Sequence, residues 1–413
     1  MEEVCARENL WQALKHVQAN KGSPGADGMS VGALGTYLKR NWLTIREQLF
    51  KGTYRPQPVL RVEIAKPDGG VRQLGIPTVT DRFLQQAVLQ VLQPRWDPEF
   101  SEHSYGFRPK RSAHQAVARA QGYVRAGYSW IVDLDLEKFF DRVNHDRLMH
   151  RVAQRVADKR VLKLIRAFLT AGVLEGGMTS PTEEGTPQGG PLSPLLSNVV
   201  LDELDRELER RGLRFVRYAD DCNIHVRSER SAHRVMEGLK RYITTRLKLK
   251  VNETKSAVGR PWERKFLGFS FLKTATHHRC VAPKSLERFK KRIRELTGRL
   301  RGRNLERVVR EALAPYLRGW RSYFAFCETP WELRDLDGWI RRRLRCALWR
   351  QWARGRTRWK ELVQRGVHPA VARGTIFHLQ GPWRASRSKA MAQALTARDL
   401  DAMGLPRLCA MKA

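Results

Sequence analysis

Cysteine is scarce and scattered: six residues, at positions 5, 222, 280, 327, 346 and 409, none of them in a C-x-x-C pair. Such spacing supports neither a structural zinc site nor a disulfide framework, and points to a reducing, cytoplasmic setting. No apolar run reaches the roughly 18 residues of a membrane-spanning helix. The start, MEEVCARENLWQALKH, lacks the basic beginning and apolar core of a signal peptide. Internal repeats and low-complexity segments are absent as well. Acid is the other shortage: 42 Asp and Glu face 77 Lys and Arg, a net charge of +35. That excess costs self-repulsion in the compact state, which a polyanionic partner offsets; nucleic acid fits better than a membrane surface.

What is present is a folding chain. Its 413 residues suit two or three domains, and a 42% hydrophobic fraction with 12 Trp supplies real cores. Basic charge is concentrated: residues 284–365 carry 24 Lys and Arg against 9 Asp and Glu. The sequence therefore divides into a mixed-charge body (1–283), a basic module (284–365) and a short basic tail (366–413).

Periodicity places the elements. Residues 6–19 read as an amphipathic helix, closed by the loop NKGSPGADG. VLRVEIAKPDGGVRQLGI reads as a β-hairpin with strands at 59–66 and 71–76. A helix follows from Asp81. WIVDLDLEKFFD starts as a strand, GTPQGGPLSPLLSNVVLDELDREL is a glycine-rich turn entering a long helix, and RYADDCNI lies in a strand hairpin. Ser231 is the expected N-cap of the next helix, and LKLKV the strand after it. Beyond residue 284 the pattern is helical throughout. The body is α+β and the remainder all-α.

In FVRYADDCNI two acids interrupt an apolar strand pattern. Strands disfavour Asp, and adjacent carboxylates repel one another unless a cation lies between or beside them. A hard divalent ion suits carboxylate oxygens, and one further acid would complete a two-ion site for phosphoryl transfer. Ile131, Asp133 and Asp135 share a strand face, so either acid can point there.

Taken in order, IAKPDGGVRQLGIP, YGFRPKRSAHQAV, VDLDLEKFFDRVNHDRL, GTPQGGPLSPLLSNVVLDELD, RYADDCNIHV, NETKS and FLGFSF resemble the successive blocks of a group II intron reverse transcriptase. NKGSPGADG is similar to the N-terminal extension block of these enzymes. PYLRGWRSYFAF and LDGWIRRRLRCALWRQW look like the thumb, or maturase, domain, and the last segment like the short DNA-binding tail of bacterial class C members. The resemblance implies a right-hand polymerase, with fingers and an antiparallel palm sheet, followed by an all-α thumb. It implies an RNA-directed DNA polymerase that also binds its intron RNA to assist splicing and mobility. The other partners implied are an RNA template with a DNA or RNA primer, target DNA and dNTPs, with nucleoid association when DNA is the substrate. A reverse transcriptase domesticated for host defence, or a maturase acting mainly through RNA binding, is the alternative. The cysteine pairs of an HNH endonuclease are missing, so DNA cutting is not expected.

The resemblance also assigns residues. The family's first catalytic Asp lies five positions before an aromatic gate, which matches Asp135 and Phe140 and leaves Asp133 a supporting acid. Asp135, Asp220 and Asp221 would hold two Mg²⁺ ions, with Leu136 counted among the metal ligands. Lys66 and Arg72, flanking the fingers turn, match triphosphate contacts. Gln188 matches a residue of the nucleotide pocket, and Lys255 a lysine proposed to protonate pyrophosphate. FLGFSF would be the primer-grip hairpin. In the thumb, Ile340, Leu344, Leu348 and Trp352 form a buried stripe from which Arg341, Arg342, Arg343 and Arg345 project without acidic partners, an RNA-phosphate surface.

Overall fold

Alternating apolar residues on either side of a Gly-rich turn make the expected antiparallel hairpin, β1 (Val59–Ala65) and β2 (Val71–Ile76), in the computed structural model. The structure describes residues 1–65, 69–176, 178–181, 184–186, 189–298, 304–378 and 381–409, and of Arg72 the backbone alone. Two units divide between Phe266 and Leu267.

In the first unit α1 (Arg7–Ala19) and α2 (Leu34–Lys51) precede the hairpin, and α3 (Val79–Trp96) follows it. The α3 start lies ahead of the expected Asp81 because the Thr78 hydroxyl caps the helix by accepting from the Asp81 N–H. Next come α4 (Ala113–Arg125), β3 (Trp130–Leu134), α5 (His145–Ala153) and α6 (Lys159–Leu169). Two short strands, β4 (Val173–Glu175) and β5 (Met178–Ser180), join the hairpin in a sheet ordered β2-β1-β4-β5. The long α7 (Ser193–Arg210) leads into β6 (Arg214–Tyr218) and β7 (Asp221–Val226), then α8 (Glu229–Tyr242) and β8 (Ala257–Gly259).

The second sheet, ordered β6-β7-β3-β8, is antiparallel throughout, the palm expected from the sequence. Its inner face, including Val132, Leu134, Phe215 and Ile224, shares one core with Leu201, Leu204 and Leu208 of α7. Burying each such side chain is worth about 1.5–3 kcal/mol.

Two local expectations are corrected. The N-cap of α8 is Ser228, whose hydroxyl accepts from the N–H of Ser231, so Ser231 falls inside the first turn. LKLKV is not a strand. Ile243–Leu247 continue as a π-helical turn, Lys248 is left-handed, and Val251 makes a single bridge to Leu136. The alternation there buries Leu247, Leu249 and Val251, and of the three only Val251 is bridged.

The second unit opens with a hairpin, β9 (Phe269–Phe271) and β10 (Arg279–Val281). Helices α9 (Pro283–Gly298), α10 (Leu305–Val308), α11 (Ala314–Phe324), α12 (Pro330–Gln351), α13 (Gly355–Gln364) and α14 (Pro369–His378) follow, then α15 (Pro382–Ala385), α16 (Lys389–Ala394) and α17 (Ala397–Ala402). The unit begins ahead of residue 284 because Phe269 stacks among Tyr323, Phe324 and Phe326, at centroid distances of 5.5, 5.3 and 6.2 Å. Leu395, Leu400 and Leu408 of the basic tail enter the same core as the buried Ile340–Leu344–Leu348–Trp352 stripe. Among the described residues no helix is long and apolar enough to cross a membrane.

Candidate active site

The two acids of RYADD sit on a tight turn. Tyr218 pairs with Asp221, leaving Ala219 and Asp220 as a two-residue connection between β6 and β7. Ala219 has φ +58°, left-handed backbone that L-residues adopt at a cost of roughly 1–2 kcal/mol. Only its first central residue has positive φ, the sign pattern of a type II′ hairpin turn.

β3 lies beside β7 with Leu134 opposite Cys222. One step further along that register, Asp135 and Asp221 meet at the same end of the sheet. The NETKS segment fixes Asp135 by its backbone. The Asp135 N–H donates to Ser256 Oγ (3.0 Å), and its carbonyl accepts from the Asn252 N–H (2.9 Å) and Ser256 Oγ (3.2 Å). Lys255 Nζ stands 3.8 Å from Asp135 Oδ2.

Negative charge gathers at this end of the sheet, and burial raises the cost of carrying it. Burial pushes the Asp221 carboxyl well above the carboxylate range, and the fields of Asp133, Asp220 and Asp135 push it further, with Lys265 opposing. Burial also raises Asp135, against the pull of Lys255. This hard-oxygen, electron-rich donor set is what a divalent cation relieves. Among the described residues no three acidic, histidine or cysteine side chains are placed closely enough to hold an ion between them.

Asp133, on the same strand face, is committed elsewhere. Its Oδ2 accepts from Arg264 Nη2 (2.6 Å) and Nε (3.1 Å), and its Oδ1 from Asn223 Nδ2 (3.2 Å). Leu136 has a buried hydrocarbon side chain with no donor atom, so only its backbone carbonyl could serve as a ligand.

Lys138 turns left-handed (φ +47°) and splits the two phenylalanines that follow. Phe139 is 2% exposed in the core. Phe140 meets it edge-on, at a centroid distance of 5.3 Å, and lines a cavity of about 540 Å³. Asp220, Leu74, Arg82, Phe107 and Gly190 share that lining.

Residues 64–271 match the model of the reverse transcriptase (RNA-dependent DNA polymerase) family. The chain belongs to that family. Residues 286–366 of this reverse transcriptase match the group II intron, maturase-specific domain. Protein YkfC of Escherichia coli (strain K12) is 38% identical over 51% of this chain and 57% of its own. Group II intron-encoded protein LtrA of Lactococcus lactis subsp. cremoris is 35% identical over 54% of this chain and 38% of its own. The match thus spans little more than half of one relative and less of the other. A solved partial Cas6-RT-Cas1–Cas2 complex aligns over 59% of this chain and 42% of that chain, with 26% identity and a TM-score of 0.37.

Of the remaining expected site residues, Lys66 and Gln188 lie outside the described residues of this reverse transcriptase, as does the side chain of Arg72. Three of the four α12 arginines point into their own unit. Arg342 stacks on Trp383 (3.6 Å to the ring centroid) and donates to the Trp383 carbonyl (3.0 Å). Arg343 Nη2 donates to Thr297 Oγ1 (3.0 Å), and Arg345 Nε to the Leu395 carbonyl (2.9 Å). Arg341, partly exposed like the other three, lies in the field of Asp337 and Asp401, so the expected lack of acidic neighbours does not hold for it.

Sequence reasoning missed what stands behind the turn. Arg217, fully buried, grips Asp205 of α7 through Nε (2.7 Å) and Nη2 (2.6 Å). Its Nη1 donates to Asn198 Oδ1 (3.0 Å) and to the Ala219 carbonyl (2.9 Å). A signal was available: Asp205 occupies the apolar stripe of Leu201, Leu204 and Leu208 on α7, where an acid needs a buried partner. Arg82 is a second omission; burial lowers its pKa, and its Nη2 donates to the Ser23 carbonyl at the cavity (2.5 Å).

Proposed function

We propose that this reverse transcriptase copies RNA into DNA at the palm hairpin and binds group II intron RNA to assist splicing and mobility. The observation that carries the reading is the meeting of Asp135, Asp220 and Asp221 at one end of the palm sheet, beside the cavity lined by Phe140 and Asp220. In this reading Asp135, Asp220 and Asp221, with the Leu136 backbone, hold two Mg²⁺ ions. Bound there, the ions supply the charge that eases ionisation of the primer 3′-hydroxyl and release of pyrophosphate.

The chain's own groups do the rest. The cavity seats the incoming dNTP against the templating base, and Phe140 lies beneath its sugar. The family resemblance assigns Lys66 and Arg72 to the triphosphate and Gln188 to the nucleotide, roles that this reading carries over. Lys255, whose Nζ stands 3.8 Å from Asp135 Oδ2, is in this reading the donor of a proton to departing pyrophosphate. The maturase-like segment and the overall charge of +35 support RNA as the larger partner, with an RNA template, a DNA or RNA primer and target DNA completing the set.

Primer extension on an RNA template, measured beside intron-RNA binding on the same preparations, tests this. Asp220→Asn should abolish extension in Mg²⁺ and leave RNA binding intact. Extension at the wild-type rate would remove the hairpin from the chemistry.

A further inference from the structure

Burying an arginine costs several kcal/mol even when it is paired, and a hydrophobic pair of similar volume often serves stability as well or better. Arg217 is 0% exposed, and so is its partner Asp205. The hydrogen bonds show what the arrangement holds. The Asp205 carboxylate fills one edge of the guanidinium, and Nη1 bridges Asn198 Oδ1 to the carbonyl of Ala219, the residue before Asp220. Asn198 in turn donates to the Gly106 carbonyl (2.9 Å). The main chain of Arg217 is pinned too: its N–H donates to the His103 carbonyl and its carbonyl accepts from Tyr105 N–H, both at 2.9 Å.

Gly106 closes the other side of the turn. A Cβ there would lie 2.2 Å from the Ala219 nitrogen, so the YGFRP loop presses backbone to backbone on the strained residue. The turn is thus clamped between α7 and that loop, and the clamp bears on the peptide that carries Asp220.

We propose that Arg217, held by Asp205 and Asn198, is a positioning residue that fixes the Ala219–Asp220 turn so that the carboxylates of Asp220 and Asp221 meet Asp135 around the catalytic ions. The inference rests on the metal reading given above. Without the clamp, Ala219 relaxes from its left-handed conformation and the Asp220 carboxylate loses its fixed bearing. Groups that orient metal ligands in this way are typically worth 10- to 100-fold, in order of magnitude, in metal affinity or activity.

The decisive variant replaces both charges, Arg217→Met with Asp205→Leu, so that no unpaired ion is left inside. Mn²⁺ binding is followed by electron paramagnetic resonance on full-length protein without nucleic acid, beside thermal unfolding and steady-state extension. The wild type should bind Mn²⁺, and Asp221→Asn should bind it weakly. The double variant should unfold cooperatively near the wild-type temperature, bind Mn²⁺ roughly tenfold or more weakly, and lose kcat more than it gains in dNTP KM. A folded double variant with wild-type Mn²⁺ affinity overturns the proposal. If it does not fold, Asn198→Ala decides, because the ion pair remains and one arm of the clamp is gone: weakened Mn²⁺ binding supports the proposal, and unchanged binding overturns it. Failure of the wild type itself to bind Mn²⁺, or undiminished binding by Asp221→Asn, would fault the metal reading instead.

Discussion

Replacing Phe140 with alanine should change which sugar the enzyme accepts, and replacing Phe139 should not. The two rings are neighbours with opposite surroundings. Phe139 is 2% exposed in the palm core, while Phe140 borders the 540 Å³ cavity together with Asp220. A ring beneath the sugar of the incoming nucleotide rejects a 2′-hydroxyl by collision, and pocket discrimination against one small added group is worth about 1–3 kcal/mol, or about tenfold to 200-fold. Phe140→Ala should therefore narrow the ratio of kcat/KM for dNTP over rNTP by about that factor, with extension retained at a reduced rate. Phe139→Ala should leave the ratio alone and cost about 3–5 kcal/mol of stability, a fall in melting temperature on the order of 10 °C. Single-nucleotide incorporation kinetics on an RNA template, run beside thermal unfolding, read both effects. Control of the ratio by Phe139 and not Phe140 would refute the reasoning. It would show the block to be out of register by one residue and would remove the ground for choosing Asp135 over Asp133.

Two further outcomes follow from the surroundings of single residues. His225 is fully buried, neither ring nitrogen has a hydrogen-bond partner among the described residues, and burial pulls its pKa down to about 3. Because the unfolded chain binds that proton near pH 6.5, the contribution is whole above pH 6.5 and is lost as pH falls towards 3, by about 2 kcal/mol at pH 5. Denaturation of wild type and His225→Phe at pH 7.5 and pH 5 should show a smaller pH penalty in the variant; equal penalties would contradict the assignment. In the thumb, Arg341→Gln should lower the slope of log RNA affinity against log salt by roughly 0.7–0.9. Arg343→Gln, which removes the donor to Thr297, should lower stability and leave that slope unchanged. A slope that responds to Arg343 and not to Arg341 would reverse this division.

The hairpin acids drew notice because two adjacent carboxylates interrupt an apolar pattern, although Asp220 lies in the connecting turn and only Asp221 begins β7. The strand alternation at 59–76 and the four-residue stripe of α12 were legible for the same local reason. What stayed hidden joins residues far apart in the chain. Arg217 reaches Asp205 on α7, and Asn198 reaches Gly106 across 92 positions. Nothing in the α12 arginines themselves shows that Thr297, Trp383 and Leu395 would take up three of them. Spacing reports which face of a helix a residue occupies, and not what the fold lays against that face. LKLKV shows the same limit at short range. Its alternation reports burial correctly, but the chain turns left-handed at Lys248, and the pairing that follows is limited to the Val251 bridge to Leu136.

The central claim is that Asp135, Asp220 and Asp221 hold the ions that serve nucleotidyl transfer. Anomalous scattering from Mn²⁺, in crystals of the full chain bearing an RNA template, a 3′-deoxy primer and an incoming dNTP, tests it most directly. Two peaks in contact with the carboxylates of these three residues are the predicted result. Mn²⁺ density elsewhere, with none at the hairpin, would contradict it.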